Sequence, residues 1–228
     1  MHDTFKKNIS ILILCGGRGS RIKSVTLQPK CLLNVNGEIF LGSLIKQLQR
    51  IISAEIFLAT GYKSDSIKEY IEDNKINSKI IKENYPLGTG GALKNASRFI
   101  QSKKILLING DTIISSNDLK SFITQQSSKP LMLAVTNDIG ESRYGFICEE
   151  KHLKIVKSKK TRKKYIFAGI ALIDASLLDN YNKKVFSFED FINDIRLEES
   201  HYDLHLFTEK FIDFGTPESY LKLKKYLN

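Results

Sequence analysis

The sequence predicts an α/β fold in which a mainly parallel, mixed sheet is flanked by helices and carries a small antiparallel portion. Over the first half of the chain, short apolar runs alternate with amphipathic stretches of helical length, which is typical of βαβ units. After residue 130, short connections join the apolar runs, which indicates antiparallel pairing. The 228 residues, 42% of them apolar, suffice for one core, so we expect a single domain over residues 1–228.

The elements are expected in the following order along the chain. The first half predicts strands at 9–15, 55–60, 79–82 and 104–109, and helices at 38–52, 64–73 and 91–101. The second half predicts strands at 131–136, 144–150, 153–157, 165–173 and 204–213, two short helices before the last strand, and a C-terminal helix. The alternation in the first half is that of a Rossmann-like architecture.

Two helix starts can be predicted in detail. Ser187 and Asp190 have the spacing of a capping box, in which each side chain accepts a hydrogen bond from the other residue's backbone N–H. Thr216 precedes Pro217 and Glu218, so a capping residue is followed by residues that favour the first helical turn. Both segments therefore have a structural explanation before any function is considered.

Composition excludes several classes of protein. No apolar run approaches the roughly 20 residues that span a bilayer, and the polar N-terminus lacks the pattern of a signal peptide. Cys15, Cys31 and Cys148 are odd in number and widely spaced, which predicts reduced thiols in a cytoplasmic protein. We therefore expect neither membrane insertion nor a disulfide framework.

The net charge of +10 is concentrated in one segment. Residues 151–164 contain eight basic residues, which form either a solvated β-hairpin or a cationic wall beside an anionic substrate. The segment has few aromatic residues and matches no motif that reads DNA or RNA, so no nucleic-acid partner is expected.

A glycine-rich turn directly after the first strand carries the strongest chemical signal. Gly16, Gly17 and Gly19 allow backbone N–H groups to approach an anion. Arg21 adds a guanidinium group that suits a polyphosphate. The turn is not a P-loop, and Ile22 stands where a dinucleotide fingerprint needs a small residue.

A Pro-Lys pair follows this turn. Pro29 fixes the backbone just before Lys30, so the ammonium group is either held inward or exposed as an ordinary surface lysine. The run from Leu14 to Leu41 resembles the signature of the sugar-1-phosphate nucleotidyltransferases: Gly-Gly-x-Gly-x-Arg, a gap, Pro-Lys, a hydrophobic strand and an Asn-Gly turn. The resemblance implies that Arg21 and Lys30 are the catalytic residues, which neutralise phosphates.

The same resemblance implies a nucleotide site. The triphosphate would be wrapped by the residues of the turn, which are Leu14, Cys15, Gly16, Gly17, Gly19, Ser20 and Arg21. The run from Pro86 to Ala92 is similar to the family's segment for the nucleobase and ribose, with Gly88 and Thr89 as contacts. Without the family, this run is a strand-to-helix turn that Thr89 caps.

Two aspartates follow predicted strands. Asp111 ends a buried strand, at the edge where ligands of open α/β sheets bind, and the resemblance adds it to the nucleotide site. Asp213 lies in a run similar to the family's closing motif. Mg²⁺ takes a few protein oxygens together with phosphate oxygens, so Asp111 and Asp213 are the predicted metal ligands.

The sugar side is implied by shorter matches. Gly145, Lys159, Gly169 and Glu189 resemble positions that bind the sugar phosphate. Two neighbouring lysines are alternatives to Lys159, namely Lys157 and Lys160. Phe167 stands where the family often has Asn, which removes an expected sugar contact.

Together these motifs imply that an NTP and a sugar 1-phosphate are joined with release of pyrophosphate. Their spelling is most similar to the family's heptose 1-phosphate guanylyltransferases, so GTP and heptose 1-phosphate are favoured, for bacterial surface polysaccharides such as capsule and lipopolysaccharide. The alternatives are guanylyl, cytidylyl or uridylyl transfer to a mannose- or glucose-type 1-phosphate, a non-catalytic nucleotide-sugar sensor of the same fold, and a polyanion-binding module. We expect a monomer or homodimer.

Overall fold

One mixed sheet forms the centre of the structure, a computed structural model that describes residues 8–22, 24, 26–35, 37–125, 127–137, 145–156, 165–209 and 211–227. The strands are β1 (Ile9–Leu14), β2 (Asn34–Val35), β3 (Glu38–Ile39), β4 (Ile56–Thr60), β5 (Lys79–Lys82), β6 (Lys104–Asn109), β7 (Thr112–Ile113), β8 (Leu131–Thr136), β9 (Phe146–Glu149), β10 (Leu153–Val156), β11 (Ile166–Asp174), β12 (Tyr202–Phe207) and β13 (Ile212–Asp213). The helices are α1 (Phe40–Ile51), α2 (Ser64–Asp73), α3 (Gly88–Ser97), α4 (Ser116–Thr124), α5 (Phe188–Ile195) and α6 (Pro217–Leu227).

The sheet is parallel at its centre and largely antiparallel on one side. Its strands pair in the order β10-β9-β11-β6-β1-β4-β5, and β8 joins β11 to β12. β1 runs parallel to β4 and β6, and β4 runs parallel to β5. β11 runs antiparallel to β6, β8 and β9, whereas β12 is parallel to β8. The predicted Rossmann-like sheet with an antiparallel portion is therefore confirmed.

Both faces of the central strand β1 are buried. Ile11 and Ile13 pack in one apolar cluster with Leu44 of α1. Leu12 packs on the opposite face in a second cluster, together with Leu93 of α3. Burial on both faces explains why β1 is apolar at every position except the buried Ser10 and does not alternate with polar residues.

The strand predicted at 204–213 is two strands in the structure. β12 ends at Phe207, and the chain returns as β13, which pairs with β7. The backbone N–H groups of Thr208 and Glu209 donate to the carboxylate of Asp118 at 3.1 and 2.9 Å. These bonds satisfy the backbone outside the sheet ladder, so the single-strand prediction was wrong.

Two helices begin elsewhere than predicted. α3 begins at Gly88 and ends at Ser97. Its start is earlier than predicted because the N–H groups of Gly90 and Gly91 donate to the backbone oxygen of Phe186. α1 begins at Phe40, because the preceding residues of β3 pair with β2 and the Phe40 N–H donates to the oxygen of Leu33 at 3.0 Å.

Both detailed predictions of helix starts are confirmed. Ser187 Oγ accepts from the Asp190 N–H at 3.1 Å, and the Asp190 carboxylate accepts from the Ser187 N–H at 3.1 Å. Thr216 Oγ1 accepts from the Ser219 N–H at 3.2 Å, and α6 begins at Pro217. Among the described residues, no helix is both long and apolar enough to cross a membrane.

Candidate active site

A cavity of about 400 Å³ opens at the carboxyl ends of the parallel strands β1, β5 and β6. This edge collects the ligands of open α/β sheets. The predicted site residues that line the cavity are Leu14, Cys15, Gly16, Gly17, Arg21, Lys30, Gly88, Thr89, Asp111, Gly145, Gly169, Glu189 and Asp213. Gly19 and Ser20 belong to the same turn as Gly17 but not to this lining.

The basic segment is described only at its start. Lys151 and Lys154 are exposed, and Lys154 Nζ lies 3.7 Å from the carboxylate of Glu150. Lys159 and its two alternatives, Lys157 and Lys160, lie outside the described residues. The assignment of the sugar phosphate to one of these lysines therefore stays a prediction.

The glycine-rich turn is anchored to the two strands beside β1. The Cys15 N–H donates to the oxygen of Ala59 at 2.8 Å, and the Gly110 N–H donates to the oxygen of Leu14 at 3.1 Å. The Tyr62 N–H donates to the oxygen of Gly16 at 3.3 Å. These bonds fix the first part of the turn and leave the following residues to face the cavity.

The side chain of Lys30 packs against Gly19. Gly19 has a φ of +58°, in the left-handed region that favours glycine. A Cβ at this position would lie 3.4 Å from Lys30 Cγ, so the aliphatic stem of the lysine runs directly over the turn. The lysine is 14% exposed, and its Nζ lies 2.8 Å from Asp111 Oδ2. The side chain of Lys30 therefore points into the cavity, and its stem packs against the backbone of Gly19.

Asp111 and Asp213 are brought together by the short β7–β13 pair. Thr112 is the register partner of Asp213, and the Phe214 N–H donates to the backbone oxygen of Asp111 at 3.1 Å. Asp213 Oδ1 accepts from the Gly215 N–H at 2.5 Å. Two carboxylates that are 102 residues apart in sequence therefore face one cavity.

This pair of carboxylates fits Mg²⁺. Within the described part of the chain, no group of three or more His, Cys, Asp or Glu side chains could hold a metal ion. A cation bound here would thus need further ligands from its substrate and from water. Mg²⁺ is bound in this way, through one or two carboxylates and substrate phosphates, whereas structural zinc requires a closed set of protein ligands.

The segment from Pro86 to Ala92 is held by the loop before α5. The N–H groups of Gly90 and Gly91 both donate to the oxygen of Phe186 at 3.1 Å. Thr89 Oγ1 accepts from the Phe188 N–H at 2.8 Å, and it makes no cap for its own helix. The interpretation of Thr89 as a helix cap is therefore wrong, because its hydroxyl joins α3 to α5.

Glu83 is a cavity residue that the sequence interpretation missed. It follows β5, and its Oε2 accepts from the Leu87 N–H at 3.3 Å. A Cβ on Gly16 would lie 3.3 Å from Glu83 Oε1, so this carboxylate stands directly beside the glycine-rich turn. Burial raises the pKa of the Glu83 carboxyl. The rule that singled out Asp111, a carboxylate at the carboxyl end of a parallel strand, also identifies Glu83.

Two thiols form part of the cavity wall. Cys15 and Cys31 are buried, and both are free cysteines. A hydrogen bond with Cys31, together with burial, raises the pKa of Cys15 well above its usual range. The Cys15 thiol therefore remains protonated and contributes no charge beside Asp111.

The predicted sugar residues meet on the other side of the cavity. The Phe167 N–H donates to the oxygen of Gly145 at 2.8 Å, and a Cβ on Gly145 would lie 3.6 Å from Glu189 Cγ. The Phe167 ring stacks on Phe188 with centroids 5.4 Å apart. An aromatic wall thus stands where the family often has an amide.

A bulge in β11 shapes the floor between the two sides. The pairing of β11 with β8 shifts between Phe167 and Ala171. Gly169, with a φ of +75°, lies in this bulge, and a Cβ there would be 2.6 Å from Asn109 Nδ2. Asn109 also lines the cavity. It was not predicted, because its contact with Gly169 joins two strands that are far apart in the sequence.

Comparison with known proteins gives a consistent result. The model of the nucleotidyl transferase family matches residues 10–228. A D-glycero-alpha-D-manno-heptose 1-phosphate guanylyltransferase of Campylobacter jejuni is 36% identical over 222 residues, covering 92% of this chain and 96% of the relative. A protein of the same name from Aneurinibacillus thermoaerophilus is 30% identical, covering 95% and 97%.

Solved structures agree with these relatives. HddC from Yersinia pseudotuberculosis is 33% identical, with a TM-score of 0.79, and covers 96% of this chain and 99% of its own. A second structure of HddC is complexed with GMP-PN, with 34% identity, a TM-score of 0.77 and the same coverage. The inositol-1-phosphate CTP transferase of T. maritima has a TM-score of 0.77 at 15% identity over 97% of this chain and 96% of its own, and so shares the fold.

Proposed function

The chain belongs to the nucleotidyl transferase family, as a sugar-1-phosphate nucleotidyltransferase, and we propose that its substrates are GTP and D-glycero-α-D-manno-heptose 1-phosphate. One observation carries the proposal. A single cavity brings together the glycine-rich turn, Lys30, the pair of aspartates and Glu189. The names of the two relatives, which cover 92% and 95% of this chain, support the choice of heptose and GTP.

The proposed reaction needs alignment more than acid–base chemistry. A phosphate oxygen of the sugar 1-phosphate attacks the α-phosphorus of GTP, the bond from that phosphorus to the β-phosphate bridge oxygen breaks, and pyrophosphate leaves. The attacking phosphate is already an anion at neutral pH, so no general base is required. The main barrier is repulsion between two anions, which positioned cations and backbone donors reduce.

The residues of the glycine-rich turn are assigned to the triphosphate. Arg21 and the turn amides would bind the β- and γ-phosphates, and Lys30 would meet the attacking phosphate. Arg21 is exposed at the cavity edge, whereas Lys30 is largely buried. This difference supports a role for Arg21 in capture and for Lys30 at the reacting centre.

Asp111 and Asp213 are the proposed holders of Mg²⁺. When bound, the ion would neutralise charge on phosphate oxygens of the reactants. The carboxylates supply oxygen ligands on one side of the cavity, and the phosphates would supply the others. The two aspartates would act as metal ligands only, because the proposed reaction requires no proton transfer from either of them.

Glu83 supports guanine as the base. Guanine presents two adjacent donors, N1–H and the 2-amino group, whereas the corresponding edge of the other bases presents no such pair. A carboxylate has four acceptor positions, of which one in Glu83 is occupied by the Leu87 N–H. The remaining positions can accept both guanine donors.

Gly145, Gly169 and Glu189 are assigned to the sugar phosphate, with Lys159 as a further ligand. The Glu189 carboxylate, part-buried at the first turn of α5, would accept hydrogen bonds from sugar hydroxyls. We call Leu14–Arg21, Glu83 and 86–92 the nucleotide end of the cavity. Gly145, Phe167, Gly169 and Glu189 form the sugar end.

The setting of the reaction is also proposed. The free thiols of Cys15 and Cys31 support a reducing compartment, the cytoplasm. The nucleotide sugar produced there would feed bacterial surface polysaccharide synthesis. One nucleotidyltransferase domain over residues 1–228 is proposed, supported by a family match that begins at residue 10 and reaches the last residue.

Pyrophosphate release tests this proposal. GTP, ATP, CTP and UTP are each paired with heptose, mannose and glucose 1-phosphate in the presence of Mg²⁺. We expect GTP with the heptose to give a kcat/KM about tenfold or more above any other pair. A faster pair of another kind would replace the proposed substrates. Binding of nucleotide sugar without release from any pair would favour the sensor, and salt-sensitive RNA binding would favour the polyanion module.

A further inference from the structure

Lys30 forms an ion pair with Asp111, which is one of the two carboxylates proposed to bind the metal. Its Nζ lies 2.8 Å from Asp111 Oδ2, and both side chains are largely removed from solvent, at 14% and 25% exposed. The bond is defined at both ends, because the lysine stem runs over Gly19 and the Asp111 backbone oxygen accepts from Phe214. This contact is therefore a property of the folded cavity and not a fluctuating surface ion pair.

A lysine ammonium and a divalent cation compete for such an oxygen. Both are cations, and two cations at contact distance from one carboxylate repel each other strongly in a partly dry cavity. Asp213, on the paired strand, places a second carboxylate at the same cavity. Before any metal binds, Lys30 supplies the counter-ion for Asp111.

A polyphosphate offers Lys30 another partner. The lysine stem packs against the glycine-rich turn, which is the proposed site of the triphosphate. Movement of the Nζ group would therefore exchange a carboxylate oxygen for an α-phosphate oxygen, beside the position proposed for the attacking phosphate. The ammonium group keeps an anionic partner in both positions, and Asp111 is released for the metal only in the second position.

We propose that Lys30 exchanges its partner Asp111 for a phosphate oxygen, so that metal and polyphosphate bind cooperatively. Free metal binds weakly because it must displace Lys30 from Asp111. Polyphosphate without metal also binds weakly, because drawing Lys30 away leaves the Asp111 carboxylate without the cation that pairs with it. Polyphosphate draws Lys30 away from Asp111 and so tightens metal binding, and bound metal replaces Lys30 at Asp111 and so tightens polyphosphate binding. The two effects are equal in size by thermodynamic linkage. This inference rests on the proposed function for the identity of the polyphosphate.

Binding of Mn²⁺ in the absence of nucleotide, measured by electron paramagnetic resonance, tests the competition. In Lys30→Met the affinity for Mn²⁺ is expected to rise about tenfold, because Asp111 loses its competing cation. Arg21→Gln is the matched control, since it removes the same charge from the same cavity without a bond to Asp111. Equal affinities in wild type and Lys30→Met, or an equal rise in Arg21→Gln, would overturn the exchange.

A second measurement tests the coupling itself. Isothermal titration gives the affinity for a β,γ-imido analogue of GTP with and without Mn²⁺. The factor by which the metal tightens this binding is expected to fall at least about fivefold in Lys30→Met, and an unchanged factor would overturn the proposal. If Lys30→Met does not fold, Lys30→Arg replaces it. Arginine forms a bidentate pair with a carboxylate and should bind Mn²⁺ no more tightly than wild type, so tighter binding would count against the exchange.

The two proposals fail separately. Wild-type turnover with Mn²⁺ affinities that do not respond to Lys30 removes the exchange and leaves the nucleotidyl transfer. Absence of pyrophosphate release in the presence of the expected Mn²⁺ pattern removes the proposed substrates and leaves the competition at Asp111.

Discussion

The nucleotide end of the cavity is shaped by backbone, whereas the sugar end is shaped by side chains. A Cβ on Gly88 would overlap the backbone oxygen of Phe186, and a Cβ on Gly90 would lie 2.7 Å from the backbone oxygen of Ser187. At the sugar end, the wall is the ring of Phe167 on Phe188, next to the carboxylate of Glu189. Close backbone–backbone contacts tolerate only small residues, so the shape of the nucleotide end is fixed. The shape of the sugar end can be changed by replacing a single side chain.

Asp111→Asn, between the two ends, should have the largest effect. Asn keeps the shape of the side chain but loses the charge that attracts a divalent cation, so we expect kcat/KM to fall about 10³-fold. Stability should fall by only about 1–2 kcal/mol, because the amide oxygen still accepts a hydrogen bond from Lys30 although the charge of this largely buried pair is lost. Steady-state kinetics and thermal unfolding check the two effects.

The matched control for this variant is Asp65→Asn. Asp65 is also paired with a lysine, Lys82, at 3.1 Å, but it is 90% exposed and does not line the cavity. Its turnover should remain that of wild type. Near-normal turnover in Asp111→Asn would remove Asp111 from the proposed metal site.

Gly88→Ala tests the rigidity of the nucleotide end. Gly88 has a φ of +77°, and the added Cβ would meet the Phe186 backbone, so strain and overlap should together destabilise the protein by about 2–4 kcal/mol. The KM for GTP should rise as the loop shifts. Denaturant unfolding and kinetics measure both effects.

Gly37→Ala separates the strain from the overlap. Gly37 has a φ of +82°, but a Cβ there has no atom within 4 Å among the described residues. It should cost only about 1 kcal/mol of backbone strain and leave the KM for GTP unchanged. If both alanines cost the same, the contact with Phe186 is not what fixes this end.

Glu83→Gln tests the proposed reading of the base. Gln keeps one acceptor but presents an N–H₂ group to a guanine donor, so kcat/KM for GTP should fall about 10- to 100-fold, mostly through KM. The preference for GTP over the other nucleotides should narrow. Glu55→Gln is the control, because Glu55 is exposed and pairs with Lys79 outside this cavity. An unchanged nucleotide preference would assign base recognition to backbone alone.

Local patterns explain how much of this could be predicted. The glycine-rich turn, the capping box at Ser187 and the alternation of strands and helices depend on residues close in sequence, and the structure contains all of them. The failures depend on distant partners. Asp118 ends β12 from 90 residues away, and the Thr89 hydroxyl binds an N–H that is 99 residues away. Asn109 and Glu83 enter the cavity because strands far apart in sequence lie side by side.

Glu189→Gln should have the smallest effect on turnover and tests the sugar end. Loss of charge weakens hydrogen bonds from sugar hydroxyls, so the KM for the sugar 1-phosphate should rise about tenfold, or about 1.4 kcal/mol, with the KM for GTP unchanged.

Asp190→Asn removes the same charge one residue further along α5. Because hydrogen bonds from the Ser187 side chain and backbone lower the pKa of Asp190, its charge adds stability above pH of about 3.9, and this is lost as the pH falls through the lower folded pKa. Asp190→Asn should therefore flatten the acid limb of stability and leave both KM values unchanged. A rise in the KM for the sugar phosphate in both variants would mean that the helix start as a whole, and not the Glu189 carboxylate, shapes the sugar end.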